Sequence, residues 1–137
     1  MAENIRLEVV TPDKSVVSED VQIVVAPGAM GEFGVLYGHT PFLTTLNMGT
    51  VRYTDANGAE RQIFISGGFA EALPDKVTIL AESAERRRDI DIDRAKTALA
   101  RAQKRLDDAQ KEKLDYVRAK ASLERALHRV KLASSKG

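Results

Sequence analysis

The stretch Ser83-Ala84-Glu85-Arg86-Arg87-Arg88-Asp89-Ile90-Asp91-Ile92-Asp93-Arg94-Ala95 separates two unlike halves of the chain. Before it the sequence is glycine-rich and runs in short alternating segments. After it there is neither Gly nor Pro until the last residue, and Ala, Leu, Lys and Arg recur with helical spacing. Three consecutive arginines repel one another and resist burial, which suits an exposed linker. Asp89, Asp91 and Asp93 then offer short carboxylates where a helix must start, to accept from its unpaired first N–H groups and favour its positive end. Two readings stand side by side: a capped helix after a solvated charge run, or a hinge that also holds a ligand. The reading divides the chain into a β domain over residues 1–84, a hinge over 85–89 and a helical hairpin over 90–137.

With 137 residues the chain has room for one good-sized domain plus an appendage. The absence of Cys excludes disulfides, thiolate nucleophiles and thiolate metal sites. The start, Met1-Ala2-Glu3-Asn4, lacks the basic then apolar pattern of a secretory leader, and no apolar run approaches the roughly 20 residues that span a bilayer. A soluble, cytoplasmic protein is expected. The overall charge of +1 conceals an asymmetry. Residues 1–84 hold 5 Lys and Arg against 11 Asp and Glu, a net of −6, whereas residues 85–137 hold 16 against 9, a net of +7. A cationic arm on an anionic body calls for an acidic partner.

Working back toward the N-terminus, Ile5, Leu7 and Val9 alternate with Arg6, Glu8 and Val10 in the period of a half-buried strand. Val16-Val17 and Val21 to Val25 read as two further short runs, closed by Pro27-Gly28. Gly28 to Pro41 carries glycines at 28, 31, 34 and 38 and reads as a tightly turned segment, not a regular element. No Gly-Lys-Ser/Thr follows, so it is not a phosphate loop. His39 has no carboxylate or second histidine at ligand or triad spacing, which makes it a turn or contact residue. Strands resume at Leu43 to Leu46 and Gly49 to Thr54. Asn57-Gly58 then marks a hairpin leading into Gln62 to Ser66. Phe69 to Leu73 and Lys76 to Glu82 complete an antiparallel all-β sandwich or flattened barrel.

Beyond the joint, Ala95, Ala98, Leu99, Ala102, Leu106 and Ala109 fall on one narrow helical face. Asp107-Asp108 through Glu112-Lys113 is polar and reads as the turn. Tyr116, Ala119, Leu123, Leu127 and Val130 form a second stripe, with Leu114, Val117 and Ala121 a shorter one. The pattern is an antiparallel two-helix hairpin. Arg94 and Arg101 share one side of the first helix about 10 Å apart. Arg125 and Arg129 are an i, i+4 pair able to fork a phosphate. These arginines either keep an Ala-rich hairpin soluble or gather around a polyphosphate, depending on how the second helix is rolled.

The order of features resembles the epsilon-subunit family of bacterial F-type ATP synthases. The residues that carry the resemblance are Gly31-Glu32-Phe33-Gly34-Val35-Leu36 with Gly38-His39-Thr40-Pro41, then Ser66-Gly67-Gly68-Phe69 and Val77 to Glu82, followed by the hairpin. It spans about Ile5 to Ala133. The resemblance implies a non-catalytic rotor subunit whose sandwich binds the gamma subunit and the c-ring, with Glu32, Phe33, Gly34 and His39 at that contact. It also implies a hairpin that inhibits ATP hydrolysis when extended toward the alpha and beta subunits. Attachment would be peripheral, at the cytoplasmic face of the membrane and only through the complex. No cofactor is required, but some members bind ATP as a regulatory ligand through Ile/Leu-Asp-x-x-Arg-Ala. Ile90-Asp91-Ile92-Asp93-Arg94-Ala95 fits that pattern, with Glu85, Arg101, Arg125 and Arg129 as supporting positions. The competing reading is a nucleic-acid-binding helical hairpin on a β domain, opposed by few aromatics and by carboxylates among the arginines. An enzyme is a distant third, since no titratable pair has catalytic spacing.

Overall fold

A computed structural model of the chain describes residues 3–112 and 116–135, without the side chains of 109–112. Lys113, Leu114 and the side chain of Ala109, named above, lie outside the described residues. The chain forms two compact units, Met1–Arg87 and Arg88–Gly137.

The first unit contains β1 (Ile5–Val10), β2 (Ser15–Gly28), β3 (Gly31–Val35), β4 (Phe42–Leu46), β5 (Gly49–Asp55), β6 (Glu60–Ile65), β7 (Gly68–Leu73), β8 (Lys76–Ala81) and β9 (Ala84–Arg86). It is the expected flattened barrel. β2 is the strand that closes it: its first half pairs with β1, and its second half pairs with β3 and β5 and touches β4 at Gly28. One layer runs β1, β8, β7, β4; the other gathers β3, β5, β6 and β9 around the far half of β2. Alternation supplies the core, since Ile5, Leu7 and Val9 are buried while Arg6, Glu8 and Val10 are partly exposed. Val24, Val51, Tyr53, Ile63 and Ile79 belong to the same buried cluster. Burying each such side chain contributes about 1.5–3 kcal/mol.

The strand reading needs two corrections. Val16-Val17 and Val21 to Val25 belong to a single 14-residue strand. The polar residues between them stay in register because β1 supplies partners: Arg6 donates to Ser18 Oγ at 2.7 Å and to Asp20 Oδ1 at 3.4 Å. The segment after Gly28 is not wholly irregular either. Ala29 and Met30 make a turn, and Gly31–Val35 returns along β2 as a strand. Gly28 must be glycine here, since a Cβ would sit 2.8 Å from the Gly31 carbonyl oxygen and 2.9 Å from the Phe33 ring.

The arginine run is also only partly a linker. Ala84–Arg86 pairs antiparallel with β6, and Arg87–Asp89 forms one 3-10 turn. β6 would otherwise present a bare edge of N–H and C=O groups, which β9 satisfies.

The second unit contains α1 (Ile92–Glu112) and α2 (Tyr116–Ser134), two antiparallel helices. Asp91 caps α1: its Oδ1 accepts from the N–H of Asp93 at 3.0 Å and of Arg94 at 3.2 Å. The turn expected from Asp107 onward is instead helix as far as Glu112. The polarity there marks a solvent face, where Gln103 donates to Asp107 at 3.2 Å. Ala95, Ala102 and Leu106 are buried, as their spacing predicts. On α2 the buried line is Ala119, Ala126 and Leu132, while Tyr116, Leu127 and Val117 are exposed. Small alanines at the seam let the helices approach and leave the larger side chains flanking it.

Candidate functional site

Three of the four expected contact residues sit on β3. Glu32 is exposed and its Oε1 accepts from Arg52 Nη2 at 2.7 Å. Register explains the reach: Arg52 on β5 is level with Val25 on β2, which is level with Gly34 on β3. Gly34 has no side chain to obstruct a guanidinium crossing β2 toward Glu32, one pleat away. Phe33 meets Phe42 edge-on with ring centroids 5.1 Å apart, and His39 meets Phe42 in the same way at 5.1 Å. His39 Nδ1 donates to the Thr40 carbonyl oxygen at 2.7 Å. Glu32 and Gly34 therefore face outward with Arg52, whereas Phe33 turns to the opposite face of β3 and packs with Phe42 against the core, with His39 beside Phe42.

A second surface was not anticipated from sequence. Thr45, Phe69, Leu80 and Val10 form one cross-strand row over β4, β7, β8 and β1. Leu43 and Glu71 begin the next row on that face. Leu43, Phe69 and Leu80 are 72%, 52% and 55% exposed, although each is a large apolar side chain. Farther along the same face the charges are paired, Lys76 with Glu8 at 3.2 Å and Arg6 with Asp20. The face is thus apolar at one end and neutralised at the other. A signal existed in the sequence: Phe69 and Leu80 are out of phase with the buried residues of their own strands.

The expected nucleotide residues are distributed over both units. Glu85 lies in β9 and is half-buried; Ile90 and Ala95 are buried; Asp91, Arg94, Arg101 and Arg125 are exposed; and Arg129 is half-buried. Asp91, Arg94 and Ala95 share the first turn of α1. Leu106 packs on Ala119 and Leu123, which sets Arg101 roughly level with Arg125 across the hairpin. Asp91 already spends one carboxylate oxygen on the helix cap. An open depression of about 540 Å³ on α2 is lined by Glu124, Leu127, His128, Val130 and Lys131, and not by these residues.

Elsewhere, Asp55 in the β5–β6 hairpin accepts from Ala59 N–H at 2.9 Å, Asn57 N–H at 3.0 Å and Arg61 Nε at 3.3 Å. Those bonds, the Ala59 one foremost, hold its carboxyl below the usual range against the opposing effect of burial. Burial pushes the Tyr53 phenol up. Among the described residues no group of three or more His, Cys, Asp or Glu could hold a metal ion. No helix among them is long and apolar enough to cross a membrane.

Residues 4–87 match the family described as ATP synthase, Delta/Epsilon chain, beta-sandwich domain, and residues 88–134 match its long alpha-helix domain. An ATP synthase epsilon chain from Desulforapulum autotrophicum is 57% identical over 136 residues, covering 99% of this chain and 100% of that one. One from Desulfatibacillum aliphaticivorans is 66% identical over 110 residues, covering 80% and 78% of the two chains. Among solved structures, a chain of the Euglena gracilis mitochondrial ATP synthase (OSCP/F1/c-ring, rotational state 1) superposes with a TM-score of 0.76 at 26% identity, covering 93% of this chain and 79% of that one.

Proposed function

Since the chain belongs to the ATP synthase delta/epsilon chain family over both of its units, we propose that it is a non-catalytic central-stalk subunit of a proton-translocating ATP synthase. Its sandwich binds the gamma subunit and the c-ring, and its helical pair restrains ATP hydrolysis by reaching the alpha and beta subunits. It attaches to the membrane only through the complex, at the cytoplasmic face.

The observation that carries this reading is the exposed apolar row. A face that keeps Leu43, Phe69 and Leu80 in water is explained by a partner that covers them. Glu32, Phe33, Gly34 and His39, on β3 and in the loop that follows it, supply a second, more polar contact, suited to the c-ring. The helical arm adds the excess of positive charge that acidic segments of neighbouring subunits would meet. ATP is its regulatory ligand, held by Asp91 and Arg94 at the start of α1 with the hairpin arginines. Ligand bound to one arrangement of the arm alone would favour that arrangement by mass action.

The test is co-expression with the gamma subunit, followed by ATPase assay of the reconstituted complex with and without residues 90–137. Retention of the chain by gamma, and faster hydrolysis once the arm is removed, are expected. A chain that ignores gamma but binds polynucleotide would replace the reading with that of a nucleic-acid-binding hairpin.

A further inference from the structure

Within the arginine run, Arg86 is held to the sandwich by its guanidinium. Its Nε and Nη2 donate to the Val16 carbonyl oxygen at 3.2 and 2.9 Å, spanning 70 positions of sequence. The strand it ends, β9, has three residues, all half-buried, and its ladder partner is β6. The other end of β9 is fixed by Ser83, whose N–H donates to Ser66 Oγ at 3.1 Å and whose hydroxyl donates to the same oxygen at 2.8 Å. β9 is therefore a short edge strand fastened at both ends. Arg87 and Arg88 follow at once, and the repulsion within this run opposes keeping Arg86 in place.

We propose that Arg86 is a positioning residue, a clasp that sets how much free chain precedes the helical arm. With the clasp closed, the tether between β9 and α1 consists of Arg87 to Asp91. Fully extended, five residues reach about 17 Å. With the clasp open, Ala84 to Arg86 joins the tether and adds about 10 Å, close to the diameter of one helix. Opening does not disturb the core, because no β9 residue belongs to the buried cluster, only Ala84 packing on it from outside. Short edge strands with exposed ladders are the elements that open at low free energy. The clasp thus regulates release of the arm, and this inference rests on the reading of that arm as an inhibitor.

The experiment uses the assembled complex and the chain's lack of cysteine. Phe64 and Glu85 are directly paired across β6 and β9, within the separation a disulfide spans. A Phe64→Cys/Glu85→Cys variant is assayed oxidised and reduced, so that the loss of the phenyl ring cancels between the two states. Oxidation is expected to raise ATP hydrolysis to the rate of the complex lacking residues 90–137, and reduction to restore the restraint. Equal rates in both states, with the arm deletion still accelerating hydrolysis, would overturn the clasp and leave the arm reading intact. No acceleration on arm deletion would overturn both. In the isolated full chain, Arg86→Gln is expected to speed amide exchange at residues 84–86 and spare β5, with Arg86→Lys restoring part of the protection. Unchanged exchange would also overturn the clasp.

Discussion

Phe69 and Leu80 stand directly opposite one another on β7 and β8, and both turn outward from the core. Each leaves about half of its surface in water, so covering the remainder contributes about 1 kcal/mol per side chain. Replacing both by serine is expected to weaken gamma binding about 30-fold while moving stability by less than about 1 kcal/mol. Titration with gamma beside thermal unfolding checks this. Unchanged affinity would remove this face from the interface.

Gly68 makes the β7–β8 contact possible. Its φ is +148°, and a Cβ there would fall onto the Leu80 carbonyl oxygen. Gly68→Ala is expected to cost about 3 kcal/mol or more, because backbone on both sides must move. Gly58 has φ +88° but open space around it, so Gly58→Ala should cost only about 1 kcal/mol, from backbone strain alone. Urea midpoints of the two variants separate crowding from strain, and equal losses would mean that the two strands can part at no cost.

The alternating strands and the helical spacing of Ala95, Ala102 and Leu106 could be read directly from sequence, because burial imposes a period. What could not be read was which of two apolar faces lies inside. Phe69 and Ala70 are adjacent and both apolar, and only the packed sheet assigns Ala70 to the core. β3 was hidden because its glycines signal turns locally, while its pairing with β2 is decided by a partner earlier in the chain. Arg86 read as solvated because the carbonyl it clasps is remote in sequence. The contact and nucleotide residues came from resemblance. Sequence spacing carried no sign of the Arg52–Glu32 pair, whereas the run of Asp89, Asp91 and Asp93 did signal a capped helix start, which Asp91 supplies.

Acid should loosen the β5–β6 hairpin through Asp55. Its native carboxyl lies below the usual value of 3.8, so its contribution is present above that pH and lost as pH falls through the lower native value. In Asp55→Asn the acid-unfolding midpoint should therefore move up, with a shallower dependence of stability on pH below about 4. Fluorescence or circular dichroism across an acid series measures it. A variant with the wild-type acid profile would show that the three donors to Asp55 contribute no pH-dependent stability.

Asp91 can be tested as cap and as ligand separately. Asp91→Ala removes the acceptor for two N–H groups and should cost about 1 kcal/mol of helix stability, whereas Asp91→Ser keeps an acceptor and loses only the charge. Arg94 is exposed, and its side chain has no part in the cap, so Arg94→Ala should leave helicity unchanged. Calorimetric titration with ATP then separates the roles. Saturable binding by the wild type, lost in Arg94→Ala and weakened in Asp91→Ser at unchanged helicity, is expected of a nucleotide site at the first turn of α1. If Asp91→Ser binds as tightly as the wild type, Asp91 serves the helix alone and the arginines carry the phosphate contact. If the wild type itself fails to bind, the basic hairpin is left with its neighbours in the complex as its acidic partners, and control of the arm falls to those contacts and to the joint.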